Sequence, residues 1–123
     1  MGEDLVAQWE GQLQEALLGK RLTSAEFVLD YVQLRFDGPF LTVITWPVLE
    51  VDGERFRWGE RGFRDALCSP IGKEVIRAEI RAEHSLQLEF SDGAVFRVSL
   101  KDEDYRSAEA VRFQDDDAEW WVL

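Results

Sequence analysis

Few side chains in this sequence could carry chemistry. His84 is the only histidine and Cys68 the only cysteine among 123 residues. A histidine acts as a general base only beside a poised partner, and in an extended strand Glu83 and Ser85 would project to the face opposite His84. A structural or surface role at a strand end therefore fits His84 better. One histidine and one cysteine cannot assemble a zinc site of the usual ligands within one chain, and a lone cysteine forms no internal disulfide. Cys68 ends the apolar run Ala66-Leu67-Cys68 and reads as a buried structural thiol. The inventory predicts a non-enzymatic chain with no metal and no cofactor.

Two acidic clusters stand out, Asp102-Glu103-Asp104 and Asp115-Asp116-Asp117 with Glu119. Neither has the alternating ligands and bending glycine of a calcium loop. Both fall where turns are expected, where carboxylates keep sheet edges from pairing, and together they form a candidate face for steering a basic partner. A second group is aromatic and basic: Trp46, Phe56, Trp58 and Phe63 lie in sequence beside Arg55, Arg57 and Arg64. Tryptophan and arginine are enriched at interface hot spots, so these seven residues are a candidate interaction or ligand patch. The competing reading puts the aromatics in the core and the arginines on wet faces.

The charge pattern sharpens the contrast. The net charge of −11 is distributed as −7 over residues 1–54, +3 over 55–81 and −7 over 82–123. An acidic excess argues against a nucleic-acid partner, because phosphate backbones are bound by clustered lysine and arginine. It also argues against adsorption to anionic membranes. The acidic N-terminus lacks the basic start of a signal peptide, and no apolar run approaches membrane-spanning length; a cytoplasmic location is the expectation.

The elements that must position these residues are mostly strands. Residues 3–18 carry Leu5, Val6, Trp9, Leu13, Ala16 and Leu17 at helical spacing and predict an amphipathic helix closed by Gly19. Residues 26–36 and 40–46 read as strands flanking Asp37-Gly38-Pro39. Val48 to Trp58 forms a hairpin about Asp52-Gly53, and residues 59–68 a short helix stopped by Ser69-Pro70. Ile76, Ala78, Ile80 and Ala82 alternate with charged residues, as do Leu86, Leu88, Phe90 and Phe96, Val98, Leu100 with polar ones. Period-two alternation is the mark of an antiparallel sheet with one wet face. A last hairpin spans residues 111–123. The predicted core is Leu5, Trp9, Leu13, Leu17, Val32, Leu34, Phe36, Val43, Ile76, Ile80, Leu86, Leu88, Phe90, Phe96, Val98, Val111 and Phe113.

The halves also resemble each other. Gly19-Lys20 aligns with Gly72-Lys73, Ala25-Glu26 with Ala78-Glu79, Gln33-Leu34 with Gln87-Leu88, Phe36 with Phe90, and Asp37-Gly38 with Asp92-Gly93. Two related units, at about 19–58 and 72–123, would bury each other's apolar faces within one domain spanning residues 1–123. The predicted class is α+β: an N-terminal helix packed on a bent antiparallel sheet or partly closed barrel made of two pseudo-repeated units.

The segment Ala66-Leu67-Cys68-Ser69-Pro70-Ile71-Gly72-Lys73, followed by Leu86-Gln87-Leu88-Glu89-Phe90-Ser91-Asp92-Gly93, Ala108-Glu109-Ala110-Val111-Arg112-Phe113 and Trp120-Trp121-Val122, resembles a group of small uncharacterised bacterial proteins. Some of these are predicted immunity proteins of contact-dependent or polymorphic toxin systems. The likeness covers roughly residues 60–123 and implies an antiparallel sheet with a flanking helix and no cofactor; it assigns no functional residue. The first expectation is thus a protein-interaction module, an immunity-type inhibitor of a basic partner. The alternatives are a self-associating subunit, with the aromatic patch as a homodimer interface, and a small-ligand-binding protein using the Trp/Arg patch.

Overall fold

A computed structural model describes residues 2–115 and 120–123. Among these, the helix α1 (Glu3–Leu17) leads into strands β1 (Leu22–Val28), β2 (Tyr31–Phe36), β3 (Phe40–Val43), β4 (Val48–Val51) and β5 (Glu54–Arg57). A short helix α2 (Phe63–Cys68) then leads into β6 (Val75–Arg81), β7 (Ser85–Phe90), β8 (Val95–Ser99), β9 (Val111–Gln114) and β10 (Trp120–Val122). The α+β class with an N-terminal helix is as predicted. The strands form two antiparallel sheets, ordered β1-β2-β3-β9-β10 and β5-β4-β8-β7-β6, rather than one bent sheet or a closing barrel. Their apolar faces share one continuous core, centred on Phe63, Phe90, Phe96 and Phe113.

The sheet order carries an exchange. The meander β1-β2-β3 is completed by β9 and β10 from the second half of the chain, and the meander β6-β7-β8 by β4 and β5 from the first. Helix α1 packs on β6, and α2 touches β1. The two meanders have matching registers: Leu22, Ala25 and Phe27 face Phe36, Leu34 and Val32, while Val75, Ala78 and Ile80 face Phe90, Leu88 and Leu86. Each first strand carries a bulge at its second residue, Thr23 in one and Ile76 in the other.

Where the meanders begin, the halves are laced together by backbone. Gly19 donates its N–H to Val75 O at 2.9 Å and Gly72 donates to Leu22 O at 2.7 Å. Val75 N–H reaches Lys20 O at 2.9 Å and Leu22 N–H reaches Lys73 O at 3.1 Å. Each bond is the reciprocal of another when residues 19, 20 and 22 are exchanged for 72, 73 and 75. Arg21 and Glu74 bridge each other between them. Gly19 and Gly72 hold φ of +82° and +89°, a left-handed conformation that glycine adopts without steric cost.

Four local expectations are corrected. Residues 26–36 are not one strand: the chain reverses at Leu29-Asp30, a two-residue turn lacking the Asn-Gly or Asp-Gly signature. Ile76 is 53% exposed, because the bulge between Val75 and Arg77 drops it out of the alternation. Leu5 is exposed and Trp9 half-buried, because the buried stripe of α1 runs along Val6, Leu13 and Leu17 and Leu5 lies one residue, about 100°, off it. Cys68 is exposed rather than buried; α2 buries Phe63, Ala66 and Leu67, and its last residue turns outward.

The exchange makes a topological prediction. A protease site inserted between Gly59 and Glu60 and then cut should leave both fragments co-eluting as one species under native conditions. They should separate only in denaturant, because each fragment holds two strands of the other's sheet. Fragments that part in native buffer on size exclusion would contradict this topology.

Candidate anion-binding cavity

Alternation decides what sheet β5-β4-β8-β7-β6 shows to solvent. Phe96 and Val98 of β8 point into the core, so Arg97 and Ser99 point out. Leu49 of β4 points in, so Val48 and Glu50 point out. Cross-strand register then lines up Arg57, Val48, Arg97, Gln87 and Glu79 in one row. Ser99, Ser85 and Arg81 form the next row.

At this end of the sheet, the segment before β4 and the segment after β8 rise around the second row. With the sheet they form a half-open cavity of about 530 Å³ lined by Thr45, Trp46, Val48, Arg57, His84, Ser85, Arg97, Ser99, Lys101, Asp104 and Arg106. A second concavity continues from it past His84, Ser85 and Arg97 towards Arg81 and Glu79. Four cationic side chains thus meet in a chain of net charge −11.

Their partners differ. The Arg97 guanidinium donates from Nε to Gln87 Oε1 at 3.0 Å and lies 3.5 Å from Glu50. Arg106 donates to the carbonyls of Ile44 (3.0 Å) and Asp30, and its guanidinium carbon lies 4.3 Å from the Trp46 ring centroid, in cation–π contact. Among the described residues, the side chains of Arg57, Lys101 and Arg106 have no carboxylate within 4.0 Å. Asp104, the one acid in the lining, accepts from Ser99 Oγ at 2.6 Å. His84 sits in the turn Ala82–His84 rather than in a strand, and its Nδ1 lies 3.1 Å from Ser85 Oγ. Thr45 is only 4% exposed, and among the described residues its Oγ1 has no hydrogen-bond partner. A buried hydroxyl without a partner costs about 1–3 kcal/mol.

The aromatic patch is partly gathered here. Trp46 and Trp58 stack with centroids 3.8 Å apart and planes 3° apart, and Trp58 meets Phe63 edge-on at 5.6 Å. Phe63 is core, and Phe56 lies half-buried beneath Gly62. Arg55 pairs with Glu50 at 3.1 Å, and Arg64 lies over Phe27. Of the seven residues, only Trp46 and Arg57 line the cavity. Reading the sequence alone misses Arg97, Lys101, Arg106, Thr45, Ser85 and Ser99. Arg97 is visible as an outward residue of its strand, but nothing local shows that β8 lies beside β4.

The acidic residues are spread. Asp102, Glu103 and Asp104 form an exposed 3-10 turn at the cavity rim. Burial, aided by the Asp102 charge, raises the Tyr105 hydroxyl above its ordinary pKa. Asp115 follows Gln114, which pairs with Phe40, so it sits at the opposite end of β3 from Val43. Asp116, Asp117 and Glu119 lie outside the described residues. Among the described residues, no three His, Cys, Asp or Glu side chains are placed to hold a metal ion, and no helix is long and apolar enough to cross a membrane.

Glu50 keeps the outer face in order. The hydrogen bond from Arg55, then the nearby Arg97 charge, lower its pKa against a partial opposing effect of burial. A carboxylate with a depressed folded-state pKa adds stability above its unfolded pKa and loses it as pH falls through the folded value. Glu50→Gln should therefore flatten the loss of stability on acidification through the carboxylate range, read as urea midpoints at stepped pH. A slope equal to that of the parent chain would show that Glu50 carries no such linkage. No protein-family model, curated protein or solved structure matches the chain, so its functional reading rests on the geometry of this cavity.

Proposed function

We propose that the protein is a non-enzymatic binding module that captures an anionic group in this cavity. The observation that carries the reading is that Arg57, Arg97, Lys101 and Arg106 line one cavity whose single carboxylate, Asp104, accepts from Ser99. Among the described residues nine of the 14 basic side chains form no ion pair, and three of these nine, Arg57, Lys101 and Arg106, face this one cavity. The long-range repulsion of the acidic surface does not prevent capture, because charges beyond about 8 Å are largely screened at physiological salt.

A basic partner, as for an immunity-type inhibitor, is the second reading. It draws on Asp102 and Glu103, which are exposed and form no ion pair among the described residues. Exposed carboxylates of this kind accelerate association with a cationic surface.

One experiment separates the two. Melting temperature is measured at constant ionic strength with added citrate, phosphate, a glutamate-rich peptide or oligolysine. A ligand at a hundredfold excess over its dissociation constant adds about 2.7 kcal/mol, a shift of several degrees. The anions are expected to stabilise the parent chain and Arg61→Glu, and to lose that effect in Arg57→Glu combined with Lys101→Glu. Stabilisation by oligolysine alone would overturn the anion-binding reading and favour the basic partner.

A further inference from the structure

The cations on this face are strung across the sheet rather than gathered at one point. Arg57 stands on β5, Arg97 on β8 and Arg81 on β6, each with one strand between it and the next. At about 4.8 Å per strand, the attachment points of Arg57 and Arg81 are roughly 19 Å apart. The two concavities that hold them are continuous, because His84, Ser85 and Arg97 line both. Lys101 and Arg106 line the first and Arg81 the second. Among the described residues, Arg57, Arg81, Lys101 and Arg106 are exposed and have no carboxylate within 4.0 Å. Arg97, where the concavities join, is shared with Glu50 at 3.5 Å.

The band has edges. Further along the strands, Arg55, Glu50, Val95, Glu89 and Arg77 form a row of balanced charge. Two acids line the band itself: Asp104 accepts from Ser99, and Glu79 pairs with Arg77 at 3.9 Å. Cations therefore dominate a strip that crosses the strands, and an anion with one carboxylate reaches only part of its length. An extended peptide, at about 3.3–3.6 Å per residue, spans it in six or seven residues. The Arg57 guanidinium has no side-chain partner among the described residues, so its fork is open to a planar carboxylate through two parallel hydrogen bonds. A single-stranded nucleic acid would match the charge, but it binds by stacking bases on aromatic faces. Trp46, the aromatic residue in the lining, is already stacked on Trp58 and in contact with the Arg106 guanidinium.

Resting on the anion-binding reading, we infer that the partner is an extended acidic polypeptide segment that crosses the strands of this sheet from Arg57 to Arg81. Its carboxylates meet Arg57 and Lys101 in the first concavity, Arg97 where the two join, and Arg81 in the second. Carboxylates carried on one chain make the later contacts intramolecular, so affinity grows with the length of the segment until it spans the strip.

The test is calorimetric titration of the full chain, at fixed pH and ionic strength, with three probes. These are a single glutamate capped at both ends, a capped heptapeptide of alternating glutamate and serine, and a thymidine heptanucleotide. The heptapeptide should bind at least about tenfold more tightly than the single glutamate. Arg57→Gln and Arg81→Gln, at opposite ends of the strip, should each weaken it about fivefold through loss of a charge-assisted contact, whereas Arg61→Gln should not. Equal affinity for the single glutamate and the heptapeptide would overturn the extended segment and leave the anion cavity standing. So would an Arg81→Gln chain that binds the heptapeptide as tightly as the parent does. Tighter binding of the heptanucleotide than of the heptapeptide would overturn the polypeptide assignment in favour of a nucleic acid. If none of the three binds while citrate still raises the melting temperature, the acidic segment falls alone. If no anion acts at all, both readings fall together.

Discussion

Four backbone hydrogen bonds between residues 19–22 and 72–75 set the arrangement of everything else. They join the two points at which the meanders begin, and they leave each meander short of two strands that only the other half can supply. Because Gly19 and Gly72 take left-handed φ, the chain can leave each helix and turn at once into the crossing. Bonds of this kind are modest one by one, about 0.5–1.5 kcal/mol net. Their weight lies in geometry: they fix which strand neighbours which, and so which outward side chains share a surface. The cavity is a product of that choice, since Arg57 and Arg97 meet only because β4 from the first half lies against β8 from the second.

Edges matter as much as the crossing. The open side of β6 would expose unpaired backbone groups, a standing invitation to another chain. Helix α1 covers it, with Glu10 accepting from Ile80 N–H at 2.8 Å and Gln14 donating to Ala78 O at 2.9 Å. Two polar residues on a helix face that would otherwise read as solvated thus replace a missing strand. The same helix lays Val6, Leu13 and Leu17 in the core and stacks Trp9 on Trp121 with centroids 5.6 Å apart.

The sequence is informative where a signal is local. The helix, the Asp52-Gly53 hairpin and the alternating strands β7 and β8 follow from spacing alone, because side-chain period and turn chemistry are short-range. The two meanders share a strand register, Leu22 with Phe36 and Val75 with Phe90. What could not be read was pairing between distant segments. Nothing near Arg97 announces β4, and nothing near Leu29-Asp30 announces a turn. Ile76 keeps the alternation in the sequence, yet the bulge turns it outward. The cavity is hidden for the same reason, since it joins residues 45–57, 84–85 and 97–106 through the sheet order. Trp46 and Arg57 were visible as a Trp/Arg patch only because they lie close in sequence.

The exchanged hairpins also bear on how the molecule comes to exist. Local contacts form quickly, whereas pairing between remote segments must first close a long loop. During synthesis from the N-terminus, β1, β2 and β3 appear early, but their sheet stays open on the β3 side until β9 has been made. Strands β4 and β5 wait likewise for β8. For most of translation the nascent chain carries two half-built sheets with apolar faces uncovered, the condition in which nascent chains recruit chaperones or misassemble with neighbours. Tandem units that each closed their own sheet would pass through no such interval. In this protein the first half reaches its final form only when the second is nearly complete.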